Sequence, residues 1–417
     1  MYEECSPRAW HPRERADVRN TILSDRVERL LPRIMSETGI DAWVVAGREY
    51  NEDPVLKTLL PAPMLSARRR TILVFRLRDS GDVEASGVCR YGLGSIYRDA
   101  WDPGAENDWE CAARLIGEMN PRKIGVNLSE DFGLADGMTF TELRSFKSAL
   151  TPELRDRLVS AEQLAVRWLE TRTPGEMEIY PGIVKTSHRL IAEAFSDRVV
   201  TPGKTTAEDL TWWFRKEILE LGLDAWFHPT VRIQSPDCGW EDNAKTAIDR
   251  GDLLHCDLGI SHLGLCSDTQ QHAYVLPRGA AHIPAGIGDL MGQANHLQDI
   301  VAAEFETGRT GNEILRASLG RARSEGIHGK VYTHPIGFHG HAAGTPIGMW
   351  DKQDGVEGAG ERPIYPDTCY ALELSVTGDV PEWGGRETRV ALEEVTYFDG
   401  SDLHFLAARQ VTPHIIG

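Results

Sequence analysis

Between Asp25 and Glu37 apolar residues recur at i, i+3 and i+4 spacing, through Val27, Leu30, Leu31 and Ile34, which predicts an amphipathic helix. The first 20 residues before it are polar and are expected to form an extended arm. Two apolar runs follow, IDAWVVAG and RTILVFRL, and read as strands; DWECAARLIGEM reads as a helix, RKIGVNL as a strand and GMTFTELRSFKSAL as another helix. Such alternation predicts an α/β layer over roughly residues 1–160. Pro174-Gly175 then punctuates the chain, and residues 176–198 and 206–221 carry the apolar faces of two helices. Past Gly251 strand-like runs dominate, so a domain with helices outside a curved antiparallel sheet is expected.

Length and composition narrow the class. A chain of 417 residues is long enough for two domains with substantial cores, and 41% hydrophobic with 26% charged residues is ordinary for a soluble globule. The net charge of −18 argues against nucleic acid as a partner, because phosphate binding needs clustered Lys and Arg, and the triplet Arg68-Arg69-Arg70 is too short to change that. The seven cysteines are scattered, with no CxxC, so neither a disulfide framework nor a thiolate metal site is expected. The start of the chain has no apolar signal core and nowhere is there an apolar run of 18 residues, so no membrane partner and a cytoplasmic location are expected.

Candidate chemistry lies in the C-terminal half. Asp257 and Asp268 stand in GDLLHCDLGISHLGLCSDTQQHAYV, two strand-like runs separated by a Gly-rich turn. If the runs pair, alternation puts Asp257 on one face with His255 and Gly259, and Asp268 on one with Cys266 and Gln270, so both carboxylates can enter one cavity while Cys256 points away. His334 opens a segment, THPIGFHGH, in which His341 follows seven residues later. Glu373 and Glu393 interrupt two further apolar runs, YALELSVTG and RVALEEVTYF, where a buried Glu is costly unless paired or metal-bound. Glu394 would face the other side of its strand. Four carboxylates and one imidazole form an oxygen-rich shell that suits manganese first, with cobalt, zinc or iron also acceptable, and that holds two divalent metal ions side by side.

The ordered set of Asp, ten residues, Asp, then His with a second His at plus seven, then two strand Glu residues, resembles the creatinase, prolidase and aminopeptidase P group of metallopeptidases, which have the pita-bread fold. The resemblance extends over nearly the whole chain: RVERLLPRIMSETGIDAWVVAG is similar to the start of the group's N-terminal domain, and TRTPGEMEIYPGIVKTSHRLIAEAF to the helix that opens its catalytic domain. It implies an α+β architecture, with an N-terminal α/β creatinase-like domain over residues 1–165 and a pita-bread catalytic domain over residues 166–417. It also implies that Asp257 binds one metal, that His334 and Glu373 bind the other, and that Asp268 and Glu393 bridge both. Glu373 would serve as general base and His341 would contact substrate or the developing oxyanion. The implied activity is hydrolysis of short peptides at an Xaa-Pro bond, in a homodimer.

Three departures fall on the substrate side. Trp240 stands where the group has a substrate-contacting histidine, Lys330 where it often has another, and Ala391 where an arginine is common. Trp240 is accordingly a candidate pocket wall, although it and the pair Trp212-Trp213 would more commonly be packing residues. The departures keep open a creatinase-like hydrolase or metal-dependent lyase acting on a small non-peptide molecule. A non-catalytic interaction protein of the same shape is a further alternative, disfavoured because a scaffold has no need to bury four carboxylates.

Overall fold

The structure, a computed structural model, describes residues 10–240 and 246–417. It divides into two compact units between Gly175 and Glu176. In the first, α1 (Pro12–Asp25) begins at a capping box: the His11 side chain accepts from the Arg13 amide, and the Glu14 carboxylate accepts from the His11 amide at 2.8 Å. Residues 12–20, expected to be extended, are therefore helical, because Pro12 and this cap start a helix that has no apolar stripe for a periodicity reading to find. Residues 1–9 of the expected arm lie outside the described residues. A five-residue π-helical stretch, Arg26–Leu30, leads into α2 (Leu31–Thr38), which ends at Gly39 in the left-handed conformation, φ 65°. The predicted helix face is buried throughout: Val27, Leu30, Leu31 and Ile34.

The chain continues through β1 (Ala42–Arg48), α3 (Pro54–Leu59), β2 (Arg70–Leu77), β3 (Val83–Val88), β4 (Arg98–Asp99), α4 (Asp108–Met119), β5 (Ile124–Val126), α5 (Phe140–Ala149), α6 (Pro152–Arg155), β6 (Leu158–Ser160) and α7 (Glu162–Glu170). The strands form one six-stranded sheet in the order β4-β3-β2-β1-β5-β6. β1 pairs antiparallel with β2 and parallel with β5. Alternation of elements along the sequence thus gives the mixed, covered sheet that such a pattern implies.

The second unit holds most of α8 (Pro174–Ala194), then α9 (Ala207–Glu220), β7 (Asp224–Ala225), β8 (Thr230–Gln234), β9 (Leu253–Leu258), β10 (Ile260–His262), β11 (Leu265–Cys266) and β12 (Thr269–Val275). Next come α10 (Ala285–Ala302), α11 (Gly311–Ser324), β13 (Gly329–Val331), β14 (His334–Pro335), β15 (Thr368–Val380), β16 (Arg386–Phe398), β17 (Leu403–Phe405) and β18 (His414–Ile416). A nine-stranded sheet runs β13-β15-β16-β12-β9-β8, with β14 on β15, β17 on β16 and β18 on β12. Its centre is the long antiparallel pair β15–β16, whose register sets Glu373 opposite Glu393.

Helices α10 and α11 are missing from a reading in which strands dominate past Gly251. Three glycines, Gly286, Gly288 and Gly292, lower the intrinsic helicity of α10, each by about 1 kcal/mol relative to alanine. Burial of Ile287, Leu290, Met291, Leu297, Ile300 and Val301 against the sheet outweighs that penalty. Trp212, expected to pack, is exposed and meets only the edge of His228, at 5.3 Å between rings. Among the described residues no helix is long and apolar enough to cross a membrane.

Leu297 carries the packing of α10 in a form that can be measured, because it is fully buried in the core cluster under the sheet. Leu297→Ala should cost about 2–5 kcal/mol in urea unfolding at unchanged m value, whereas Leu219→Ala, on the exposed face of α9, should cost less than about 0.5 kcal/mol. Equal costs would contradict the packing described.

Candidate metal centre

The antiparallel pair β9–β12 aligns Asp257 with Gln270 and His255 with His272. Between these strands β10 and β11 form a small hairpin that turns at Leu263 and Gly264, both at positive φ. Asp268 is the last residue before β12, so it lies one alternation from Gln270 and shares the face of Asp257, as expected. β16 pairs with β12 at Gln270 and Glu393, and β15 brings Glu373 to Glu393. β14 sets His334 beside Ala371 of β15. Five residues separated by up to 136 positions therefore converge because five strands of one sheet present the same face.

Ligand atoms within 4.8 Å of one another occur in three sets: Asp257 with Asp268 and Glu393, His334 with Glu373 and Glu393, and Asp268 with His334 and His341. All five residues of the predicted ligand set fall in these groups, together with His341. Glu394 points away, as its strand position requires, accepting from the Gln410 amide at 3.0 Å and lying 2.9 Å from His188.

The electrostatics of this cluster call for a cation. Asp257 Oδ1, Asp268 Oδ1, Glu393 Oε1 and His334 Nε2 are buried and without a hydrogen-bond partner. His334 Nδ1 lies 3.1 Å from the Pro335 carbonyl and must donate to it, which leaves Nε2 as a lone pair. That lone pair faces Glu393 Oε1 at 3.3 Å and Asp268 Oδ2 at 3.7 Å. An acceptor aimed at two carboxylates is repulsive unless a carboxyl proton or a metal ion lies between them, and a backbone partner on the other ring nitrogen is the usual way of orienting a metal-binding histidine. The donor set thus fits divalent ions.

Burial, and after it repulsion from Glu393, raises the carboxyl groups of Asp257, Asp268 and Glu373 well above the usual range. Glu393 is pushed up to about 8, chiefly by burial. Burial lowers His334, and His341 to about 4, so both imidazoles are neutral near pH 7. Glu373 and Asp257 are half-buried where Asp268 and Glu393 are buried, and His341 is exposed at the mouth of the cluster.

Four residues that sequence reasoning gave no role complete the site. Trp226 meets the edge of His341 at 5.2 Å and donates through its indole nitrogen to the Ser267 carbonyl at 2.8 Å. Its ring occupies the space that a Cβ on Gly259 or Gly340 would enter, at 2.0 and 2.3 Å, which explains both glycines. Tyr332 stacks obliquely on His334 at 5.3 Å, and burial together with Glu373 raises its phenol to about 12. Gln270 and His255 lie behind the glutamates. The alternation that places Asp268 on the site face also marks Gln270; nothing local marks Trp226.

A cavity of about 580 Å³ is lined by Trp240, Lys330, Ser375, Thr377, Glu387 and Arg389, among others. Ser375 and Thr377 follow Glu373, and Arg389 precedes Glu393, at even spacings on paired strands, so the cavity continues the metal-ligand face. Trp240 lies against His255 with ring centroids 4.7 Å apart and beneath the Arg389 guanidinium at 4.6 Å. The wall it contributes is aromatic, but seven of the ten lining residues are polar or charged.

The fold is that of several solved peptidases. An X-Pro aminopeptidase from Thermotoga maritima superposes with a TM-score of 0.65 at 12% identity, covering 92% of this chain and 99% of its own. An Xaa-Pro dipeptidase from Bacillus anthracis gives 0.62 at 14% identity, covering 97% and 100%, and the dipeptidase PepE from Mycobacterium ulcerans gives 0.62 at 15%, covering 96% and 98%. No protein-family model and no curated protein matches the sequence. The chain therefore has the pita-bread fold of prolidases and aminopeptidases P across nearly its whole length.

The raised carboxyl groups make the metal-free protein sensitive to pH. Glu393 binds its proton up to about pH 8 when folded but only to about 4.5 when unfolded, so the folded state holds more protons between these values and stability falls as pH rises through that window. The melting temperature of metal-free protein should drop by at least about 2 °C from pH 6 to pH 8, and saturating Mn²⁺ should reverse the drop at pH 8. A melting temperature that is flat with pH and indifferent to divalent ions would refute the assignment of the cluster.

Proposed function

We propose that the protein is a dinuclear-metal hydrolase of the Xaa-Pro dipeptidase or aminopeptidase type, acting on short peptides. The observation that carries the proposal is the convergence of four buried, unpartnered ligand atoms, from Asp257, Asp268, His334 and Glu393, beside a partly accessible Glu373. Asp257 would hold one ion, His334 and Glu373 the other, with Asp268 and Glu393 between them; manganese is the proposed metal. Two such ions, when bound, lower the pKa of a shared water and polarise a carbonyl. Glu373 would accept the proton released there and pass it to the leaving nitrogen, a role supported by its position in the ligand cluster and by its partial exposure. His341, neutral and held by Trp226, would donate a hydrogen bond to the substrate carbonyl as negative charge develops. Trp240 would wall the pocket on the side where the peptide enters. A homodimer acting in the cytoplasm completes the reading.

The rival within the fold is hydrolysis or lysis of a small non-peptide molecule. It is favoured by one observation, the presence of Trp240 and Lys330 in the cavity lining at positions where histidines are common in the resembling group.

Turnover of Xaa-Pro dipeptides against Xaa-Pro-Yaa tripeptides by Mn²⁺-loaded protein tests the proposal and separates the two peptidase types. Hydrophobic-Pro substrates such as Phe-Pro should outperform Asp-Pro in kcat/KM, because the Trp240 wall favours an apolar side chain. Activity on a small amidine or sulfonium compound with none on peptides would transfer the assignment to the rival. Glu373→Gln should lower kcat by roughly 10²–10⁴-fold with little change in KM. Metal titration calorimetry should lose two binding events in Asp268→Ala and Glu393→Ala but one in His334→Ala; equal, mild effects from all three would contradict the assigned roles.

A further inference from the structure

Behind the ligand cluster, Gln270 is held by three hydrogen bonds. Its amide nitrogen donates to Glu373 Oε1 at 2.8 Å and to Glu393 Oε2 at 2.9 Å, and its carbonyl oxygen lies 3.0 Å from His255 Nε2. The orientation of the amide follows from chemistry: carboxylates that hold a cation are ionised and only accept, so the NH₂ faces the two glutamates and the oxygen faces a donor. His255 therefore carries its proton on Nε2, and its Nδ1 is buried without a hydrogen-bond partner. The imidazole is fixed between Trp240 on one side, at 4.7 Å, and His272 on the other, at 5.0 Å. His272 is anchored in turn, with Nδ1 at 3.0 Å from the Leu254 carbonyl and Nε2 at 3.0 Å from the backbone of Ala391.

We propose that Gln270, locked by His255, is the positioning residue of the metal centre, a neutral clamp that takes one oxygen of each of Glu373 and Glu393 and thereby decides which oxygen each presents to the ions. The inference rests on the metal-centre reading above. Its physical basis is geometric. Glu393 Oε2 is occupied by Gln270, and the other oxygen, Oε1, has no hydrogen-bond partner and faces His334 Nε2 at 3.3 Å. A carboxylate that kept its torsional freedom would present either oxygen, or neither, to a ligand position. The residue type is also specific. Glutamine offers two donors and one acceptor without charge, so it satisfies both carboxylates; Lys or Arg would compete with the cations for the same oxygens, and a fifth carboxylate could donate to neither. Through His255 the clamp reaches Trp240, so the cavity wall and the orientation of the glutamates belong to one packed chain of contacts.

Cobalt provides a readout that does not depend on turnover. Metal-free protein is titrated with Co²⁺ by calorimetry and visible absorption, for the unaltered chain, Gln270→Met, His255→Leu, the double variant and Gln271→Met. Gln271 lies on the same strand but faces the opposite way, bonded to His414 at 2.9 Å, and serves as a control for strand stability. Gln270→Met should weaken Co²⁺ binding by roughly 10–100-fold and shift the cobalt absorption bands, in line with the cost of losing an outer partner of a metal ligand. His255→Leu, which leaves Gln270 in place but unanchored, should weaken binding by a smaller factor, and the double variant should be no worse than Gln270→Met alone, because His255 acts through Gln270. Gln271→Met should bind with unchanged affinity and spectrum. If Gln270→Met does not fold, a shifted spectrum and weakened binding in His255→Leu support the clamp, and unchanged ones overturn it. Unchanged affinity and spectrum in Gln270→Met, or losses from the two sites that simply add, overturn the clamp while leaving the metal centre standing. An unaltered chain that binds no Co²⁺ overturns both.

Discussion

Four carboxylates turned toward one point on one face of a sheet constitute the constraint around which the C-terminal unit is arranged. Left alone, such a cluster is repulsive, and the folded protein responds in the only ways open to it: the groups hold protons well above their ordinary pKa values, and one amide, Gln270, supplies a donor to each glutamate. What remains is a set of oxygen and nitrogen lone pairs facing inward, which is a poor structural solution and a good metal site.

The sheet supports this strain because its centre is otherwise overbuilt. β15 and β16 pair over thirteen residues each, and α10 and α11 cover the far face with a continuous apolar layer. Alternation then separates two functions across one pair of strands. Leu372, Leu374, Leu392 and Val390 enter the apolar core, while Glu373, Ser375, Glu393 and Arg389 line the site and its cavity. A register slip of one residue would exchange those sets, placing four leucines and valines in the cavity and two glutamates in the core, so the core burial that stabilises the sheet is the same term that fixes the site.

The substrate side is arranged differently. Trp226 holds His341 through ring contact and is itself admitted only because Gly259 and Gly340 lack a Cβ, whereas Trp240 is pressed onto His255 and covered by Arg389. Both tryptophans thus contact imidazoles that touch the ligand cluster or stand two hydrogen bonds behind it. A site in which aromatic walls lean on histidines couples the shape of the pocket to the geometry of the metal ligands.

The sequence by itself marked the residues that the fold gathers into one cluster, since Asp, Glu and His in otherwise apolar strand runs have few reasons to be buried; Asp257, Asp268, His334, Glu373 and Glu393 were legible for that reason, as were the helix face of Val27 to Ile34 and the strands β1, β2, β15 and β16. Local periodicity failed where a stronger nonlocal term decides. α10 is helical despite three glycines because the sheet buries its apolar face, and α1 is helical because of a cap and not a stripe. Only the tertiary structure decided how Gln270 and Trp226 join the site, because each acts through a contact with a residue more than a hundred positions away, Glu373 and His341, that no spacing along the chain encodes. Side-chain type is a local property of the sequence, but hydrogen-bond partnership and ring contact are properties of strand register, which the pairing of distant segments sets.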